Sequence, residues 1–475
     1  MGAEISTTKF SNNDFEQFKS SLKKETLLLG QWLKDQSFCN EGYSFGAELE
    51  SWIVDKKTKP FALNEELIKN INNKQVVHEL SKFNIEINSD AFNLSNNVLH
   101  KIHNNLDNLF STCAIEAHKA QAQLMLVGTL PQLQGQDLSI NSMTDQNRFK
   151  AINDQLFNNK DSSEIYITGK DELKLTNNNI MPAAAATSFQ IHWKVPVSEA
   201  AQIYNASQVA SSIVLAISAN SPYVLGKELW EESRIPLFEH AISSSPFLSN
   251  NKTAKRTGFG DNYISEDIFD YFLKNFLNHS VLLPKDFSPN LRDFSHLKLH
   301  NGTIWRWNRP LIGSNNDGTP HIRIEHRVQA AGPSIIDSVA NMAFFLGLTH
   351  SLTQSQIPME FQLPFSLAEK NFYRTAKHGL NSKVSWFHGS QHNVKDLILN
   401  ELLDQAASGL EQMGIDQKDI QKYLYDIMKN RVETGQTGSQ WQKKSLDKHH
   451  RDFNKMSQDY INNQNEKIPV HKWKI

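Results

Sequence analysis

Cysteine is nearly absent: Cys39 and Cys113 are the only two in 475 residues, and neither sits in a metal-ligand spacing. That excludes a disulfide framework and favours a reducing compartment. Charge of one sign is also lacking, since 49 Lys and Arg against 51 Asp and Glu leave a formal net charge of -2. So weak a field argues against nucleic acid as the main partner. No apolar run reaches about 18 residues and the start shows no charged-then-apolar pattern, so neither a membrane span nor secretion has support. The expected location is the cytoplasm. A P-loop and a dinucleotide-type Gly fingerprint are both missing, so a nucleotide would have to be held by other means, metals foremost.

What is present is a mixed succession of helices and strands. Phe15, Phe18, Leu22, Leu27, Leu28 and Trp32 recur at near-helical spacing and predict a helix over 14–34. Further helices are predicted over 103–127, 198–219, 334–353, 366–379, 393–413 and 416–431. Short alternating segments lie between the early ones, without a regular βαβ period, so an α+β fold with an antiparallel sheet is expected. The polar stretch 158–179 reads as a surface loop, as does 250–261, with Lys252, Lys255, Arg256, Gly258 and Gly260. The segment 440–475 is rich in charge and reads as a solvated face. The expected organisation is an N-terminal helix in 1–40, a catalytic sheet-and-helix domain over 41–365, and a helical part over 366–475 packed on that same domain.

Four strand candidates carry the chemistry, because side chains along a strand alternate between its two faces. In 45–53, Phe45, Ala47, Leu49 and Ile53 oppose Gly46, Glu48 and Glu50; in 83–88, Phe83, Ile85 and Ile87 oppose Asn84, Glu86 and Asn88. In 187–195, Phe189, Ile191, Trp193 and Val195 oppose Ser188, Gln190, His192 and Lys194. In 321–328, Ile322, Ile324 and Val328 oppose Arg323, Glu325 and Arg327. If the four share one sheet, its polar face gathers Glu48, Glu50, Glu86 and Glu325. Clustered carboxylates take up protons or bind cations, and hard oxygen ligands suit Mg or Mn with a nucleotide phosphate. Arg323 and Arg327 would stand beside such metals, where a planar fork suits an oxyanion. The alternative is a plain solvated face, which antiparallel sheets often have.

Glu325 belongs to a hairpin signal: a strand over 302–309, a turn over 313–318, and a return strand over 321–328. Trp305 and Trp307 on the first strand read as core, whereas Arg306 and Arg309 are candidates for phosphate or carboxylate contacts.

The ordered succession FGAELESWIVD, FNIEINS, VGTLP, SFQIHW, SANSPYVLGKELWEESRIPLF, HIRIEHRV, LAEKNFYRTAKHGL and ETGQTGSQWQ, distributed from about residue 42 to 445, resembles the second family of glutamate–cysteine ligases. These are carboxylate–amine ligases of the glutamine-synthetase-like superfamily. The resemblance implies a curved antiparallel sheet forming a funnel backed by helices, with ATP and Mg (or Mn) at its floor. It implies metal ligands at Glu48, Glu50, Glu79, Glu86 and Glu325, with the amide oxygen of Gln190 where many relatives have His. Arg327 then contacts phosphate, Arg234 meets a substrate carboxylate, and His192 touches substrate or nucleotide; Arg323, from the strand pattern, and Arg306, from the hairpin, are the further phosphate-binding candidates. Glu325, Arg327 and His192 are the catalytic candidates.

The activity so implied is ATP-dependent joining of glutamate to cysteine through an acyl phosphate, the chemistry of glutathione biosynthesis. Its partners would be an amino acid, an amine and ATP, with no nucleic acid or membrane, and a homodimer is the oligomer kept in view. Val328-Gln329-Ala330 follows Arg327 where the family often has Asp, which weakens transfer of substrate identity. Three rival readings stay open: a ligase for another amine or acid, a metal-dependent hydrolase, and a non-catalytic relative acting as a binding protein.

Overall fold

The computed structural model describes residues 4–157, 163–242, 255–287 and 290–475; Lys252, part of a predicted loop, lies outside them. Ser11 opens the first helix, α1 (Asn12–Lys34), with a reciprocal cap. Its hydroxyl accepts from the Asp14 N–H at 3.3 Å, and the Asp14 carboxylate accepts from the Ser11 N–H at 2.7 Å, satisfying two groups that a helix start leaves open. Phe18, Leu22 and Leu29 form its buried stripe.

All four alternating segments fall in one sheet. Its strands are β1 (Ser44–Val54), β2 (Val76–His78), β3 (Asn84–Asn88), β4 (Phe92–Asn93), β5 (Gln123–Met125), β8 (Ser188–Val195), β9 (Asn308–Ser314) and β10 (Pro320–Ala330); β6 (Ser163–Thr168) and β7 (Glu172–Asn177) pair separately as a hairpin. The order across the main sheet is β9-β10-β8-β1-β3-β2, with β4 and β5 against the two ends of β1, and its pairings are antiparallel. The sheet is strongly curled.

One face of the sheet is apolar and fully packed. Phe45, Ala47, Leu49, Ile53, Ile85, Ile87, Phe189, Ile191, Trp193, Val195, Ile322, Ile324 and Val328 join one core with α2 (Val98–Lys119), α3 (Ala200–Ser218) and α4 (Ile335–Thr353). α3 and α4 are buried almost all round, which their sequences allow because apolar and small residues occupy most of their circumference. α4 is long and apolar enough to cross a membrane, yet 89% of its apolar window is buried inside the protein.

The structure departs from the sequence reading in five places. The predicted strand 302–309 is divided: Gly302 ends the helix Ser295–Gly302, Trp305–Arg306 pairs with Thr257–Gly258 in the predicted loop 250–261, and the hairpin strand β9 starts at Asn308. The predicted helix 103–127 starts earlier and stops at Lys119, and Gln123–Met125 is strand β5 on the end of β1. Phe83 precedes β3 and escapes its alternation: it stacks on Trp52 at 5.5 Å in a second core. The 158–179 stretch contains the β6–β7 hairpin rather than loop alone. Within 440–475, helices Gly438–Lys448 and Phe453–Asn465 are held by a buried triad of Trp441, Tyr460 and Trp473, ring centroids 5.0–5.6 Å apart. Three large aromatics bury more surface than the surrounding charges oppose.

Candidate active site

The polar face is built by register. Glu50 lies directly opposite Glu86 across β1 and β3; Glu48 opposes Gln190 across β1 and β8; His192 opposes Glu325 across β8 and β10. Directly opposed residues share a face, so three strand pairings alone bring Glu48, Glu50, Glu86, Gln190, His192 and Glu325 together. Glu79 joins from the segment just after β2, where its carboxylate accepts from the Leu80 N–H at 2.9 Å.

Two groups of ligand-type side chains result. Glu48, His192 and Glu325 each offer one atom within 4.8 Å of the others, and so do Glu50, Glu79 and Glu86. That spread matches oxygen and nitrogen donors placed around one cation at roughly 2–2.5 Å. Among the described residues, Glu48 Oε2, Glu79 Oε1 and Glu86 Oε2 are buried with no hydrogen-bond partner. Buried carboxylate oxygens are not normally left so, and the residues therefore fit a pair of hard cations.

The two groups differ in charge. Burial, and after it the Glu79 charge, pushes Glu50 up to about 8. Glu79 is raised by burial, and Glu86 is raised well above the ordinary value by burial and the neighbouring Glu48. Without a cation this triad holds protons near neutrality. Burial works against Glu48 too, but the adjoining His192 outweighs it and holds Glu48 at about 2. Glu325 stays well below the usual carboxylate range because Arg309, and then Arg327, overcome its burial.

Hydrogen bonds fix these groups in place. The Ser188 N–H and hydroxyl donate to Glu50 at 2.7 and 3.0 Å, and the Gln190 amide nitrogen donates to it at 2.9 Å. The Gln190 carbonyl oxygen in turn accepts from Arg327 Nη1, so the amide predicted as a metal ligand bridges Glu50 and Arg327. His192 Nε2 lies 2.9 Å from Glu48 Oε1 and 3.9 Å from Glu325 Oε1, in contact with Glu48 but oblique to a hydrogen bond. Its Nδ1 accepts from Arg323 Nε at 3.1 Å.

Arg327 reaches this face through a bulge. Between His326 and Gln329 the register of β10 against β8 shifts by one, placing Arg327 and Val328 together opposite Gln190. A bulge of this kind re-aims a side chain, and here Arg327 Nη1 lies 3.3 Å from Glu325 Oε2. Arg234, predicted to meet a substrate carboxylate, instead lies buried under the bulge. It donates to the Val328 carbonyl and, at 3.5 Å, to that of Arg327. Its guanidinium carbon sits 5.2 Å over the Trp307 ring.

Arg306 has no hydrogen bond or ion pair to the cluster. It pairs with Asp261 at 2.6 Å and lines a separate cavity of about 260 Å³ with Tyr204 and Tyr271. Trp307 is core, as expected, though its indole N–H also donates to Glu239 at 2.7 Å. Arg309, the other arginine expected to contact phosphate or a carboxylate, is in the cluster. It faces Glu325 across the β9–β10 hairpin and binds both carboxylate oxygens.

The model of glutamate–cysteine ligase family 2 matches residues 44–466. The fold is that of the glutamate–cysteine ligase of Francisella tularensis, solved in complex with AMP, at a TM-score of 0.53 and 11% identity, covering 92% of this chain and 96% of that one. A bifunctional glutathione synthetase from Pasteurella multocida is also similar, at a TM-score of 0.49 and 11% identity over 90% of this chain and 53% of that one. A search of curated protein sequences gave no match. The chain belongs to glutamate–cysteine ligase family 2, a family of ATP-dependent carboxylate–amine ligases.

Proposed function

We propose that the protein joins the γ-carboxylate of glutamate to the amine of cysteine, consuming ATP and giving γ-glutamylcysteine, ADP and phosphate. The observation that carries this reading is the pair of ligand-type groups side by side on one sheet face, with Arg327 beside Glu325 of the first and joined through Gln190 to Glu50 of the second. Within an ATP-dependent ligase family, that arrangement suits a polyphosphate and its cations better than a hydrolytic water alone.

Glu48, His192 and Glu325 would hold one divalent cation, and Glu50, Glu79 and Glu86 another; bound there, Mg or Mn would neutralise phosphate charge. The protein's own residues do the rest. Arg327 offers a planar fork to the transferring phosphoryl group. Gln190 ties that fork to Glu50, so the phosphate contact and the second cation site move as one unit. Arg309 keeps Glu325 ionised and fixed in rotation. The glutamate γ-carboxylate attacks the γ-phosphorus, ADP leaves, and an acyl phosphate forms. The cysteine amine then attacks the acyl carbon, phosphate departs, and the amine proton passes to a nearby base, for which a free carboxylate oxygen of the cluster is placed. Burial of the carboxylates, with Glu86 0% and Glu325 2% exposed, excludes the water that would hydrolyse the intermediate. The cytoplasm is the setting we infer, where ATP and both amino acids are available.

The test is incubation of the full chain with Mg-ATP, glutamate and a panel of amines, reading ADP and product mass. A γ-glutamylcysteine mass that requires every component is expected. Glutamate-dependent ADP with a different product mass would replace cysteine by another amine, and ADP-free hydrolysis would overturn the ligase reading.

A further inference from the structure

The helix side of the sheet has polar chemistry of its own. Asn308 donates to Gln208 Oε1 at 2.6 Å and to Ser211 Oγ at 2.9 Å, so this side chain of β9 turns toward α3, away from its neighbour Arg309. Tyr204, one turn before Gln208 on α3, lines the cavity of about 260 Å³ together with Arg306, Asp261, Tyr263, Tyr271 and Lys274. None of the residues in the two ligand-type groups lines it. Its volume is just under the range of roughly 300–1,000 Å³ that holds drug-sized ligands, which suits a smaller metabolite.

Arg306 is the buried cation of this cavity. Its side chain is 4% exposed, whereas Asp261, its partner at 2.6 Å, is 56% exposed. A buried guanidinium requires an anion, but a carboxylate standing in water is a weakly held one and can turn outward to be hydrated. Arg306 Nη1 also donates to the Thr257 carbonyl at 3.4 Å, so the fork keeps its position when Asp261 leaves. Lys274 stands at the rim, where it pairs with Asp270 at 3.3 Å. The buried charge therefore suits one carboxylate rather than a polyanion.

A second group points the same way. Among the described residues, the buried Tyr271 hydroxyl has no hydrogen-bond partner, although the Asn275 side chain adjoins it. Burial raises its pKa and the Arg306 charge only partly offsets that, so the phenol keeps a proton to donate. A buried hydroxyl is seldom left unpaired, and a carboxylate on Arg306 would accept from it. The rest of the wall is apolar: the Tyr204 and Tyr271 rings meet edge to face with centroids 5.5 Å apart, and Ile264 adds an aliphatic surface.

We propose that this cavity is an effector site for a small monocarboxylate with an apolar body, separate from the polar face. The ligand carboxylate displaces Asp261 from Arg306 and accepts from the Tyr271 hydroxyl, and the body lies against the Tyr204 ring and Ile264. Asp261 is then the placeholder that keeps Arg306 neutralised while the site is empty. The link to the polar face is Arg309, whose Nη1 donates to the carbonyls of Gly302 at 3.2 Å and Ile304 at 3.5 Å. That stretch leads directly into Arg306, so a change at Arg306 reaches the residue that grips Glu325. The effect on rate rests on the ligase reading above; the binding does not.

The experiment is calorimetric titration of benzoate and isovalerate, with benzamide as the uncharged control, into the full chain and into Asp261→Asn, Arg306→Gln, Tyr271→Phe and Arg327→Ala, each checked by circular dichroism. Both carboxylates are expected to bind, and benzamide roughly tenfold more weakly. Asp261→Asn, freed of the competing carboxylate, should bind benzoate about threefold more tightly; Tyr271→Phe should lose about threefold and Arg306→Gln about tenfold. Arg327→Ala, on the other face, should change nothing. Unchanged affinity in Arg306→Gln, weaker binding in Asp261→Asn, or no carboxylate binding to the wild type would overturn the site, and loss in Arg327→Ala would move the carboxylate to the polar face. If Arg306→Gln does not fold, the exposed Asp261→Asn and the near-isosteric Tyr271→Phe decide. At saturating ATP, glutamate and cysteine, benzoate should shift the rate of ADP release about twofold or more in the wild type and not in Arg306→Gln. Binding without such a shift would overturn the effector role, whereas a chain that releases no ADP at all would sink the ligase reading and leave the binding result to judge the site.

Discussion

Arg309 grips Glu325 across the β9–β10 hairpin with two parallel contacts, Nε to Oε2 and, at 3.1 Å, Nη2 to Oε1. Both side chains are buried, at 8% and 3% side-chain exposure. The pair fixes the rotation and the charge of the carboxylate that Glu48 and His192 adjoin, which a single-point cation could not do. Arg309→Lys is therefore expected to lower kcat at least tenfold with the fold retained. Arg309→Met, which leaves Glu325 buried without its partner, is expected to cost about 3–5 kcal/mol. Chemical denaturation alongside steady-state kinetics separates the two effects; wild-type kcat in the lysine variant would deny Arg309 its positioning role.

Glu325→Gln keeps the shape and removes the charge. Product formation is expected to fall by a factor on the order of 10² or more, with the melting temperature nearly preserved. Arg327→Lys loses the fork while keeping the charge, and should slow the phosphoryl step in particular. Rapid-quench measurement of ADP against amide product shows whether the first step has become limiting; wild-type rates in both variants would remove these residues from the site.

Protons should leave when metal enters. Glu50 is raised to about 8, and Glu79 and Glu86 are raised as well, so the metal-free triad binds protons at pH 7 that a cation displaces. For a carboxylate, a raised folded pKa means the folded state holds more protons than the unfolded one, so this contribution costs stability increasingly as pH climbs from about 4.5 through about 8. Mg or Mn should consequently raise the melting temperature more at pH 8 than at pH 6. Calorimetry in two buffers of different ionisation enthalpy reports the proton count directly, and a count of zero would contradict the shared-proton triad. Glu50→Gln, freed of the penalty, should be at least as stable as the metal-free wild type at pH 8 and gain less from metal.

Arg234 donates to two backbone carbonyls of the bulge, and its expected role is to support the bulge. Replacing it with Met withdraws hydrogen bonds from the Arg327 and Val328 carbonyls, so Arg327 loses its aim. The expected signature is a lower kcat with the KM for the acid substrate within about twofold, since only a transition-state contact has been disturbed. A large rise in KM at unchanged kcat would return Arg234 to direct contact with substrate.

Much of the site was legible because its signals are local. Period-two alternation placed Glu48, Glu50, Glu86, Gln190, His192, Arg323, Glu325 and Arg327 on polar faces before any pairing was known, and the turn residues between Gly313 and Gly318 announced the hairpin. Helix limits were less legible: the run ending at 127 kept its apolar spacing while the chain passed from helix into strand β5. The aromatic triad of Trp441, Tyr460 and Trp473 escaped notice because its members are far apart in a charged stretch and show no short period.

By itself, then, the sequence determined which residues alternate, which face each strand turns toward its helices, and the ordered motifs that carry family membership. Tertiary structure alone decided that Arg309 would hold Glu325, that a one-residue bulge would aim Arg327, that Gln190 would bridge Glu50 to Arg327, and that Arg234 would serve two backbone carbonyls. The reason is physical: alternation is written into the covalent geometry of one strand, whereas register, bulges and buried ion pairs exist only between strands, and depend on which distant segments the core brings side by side.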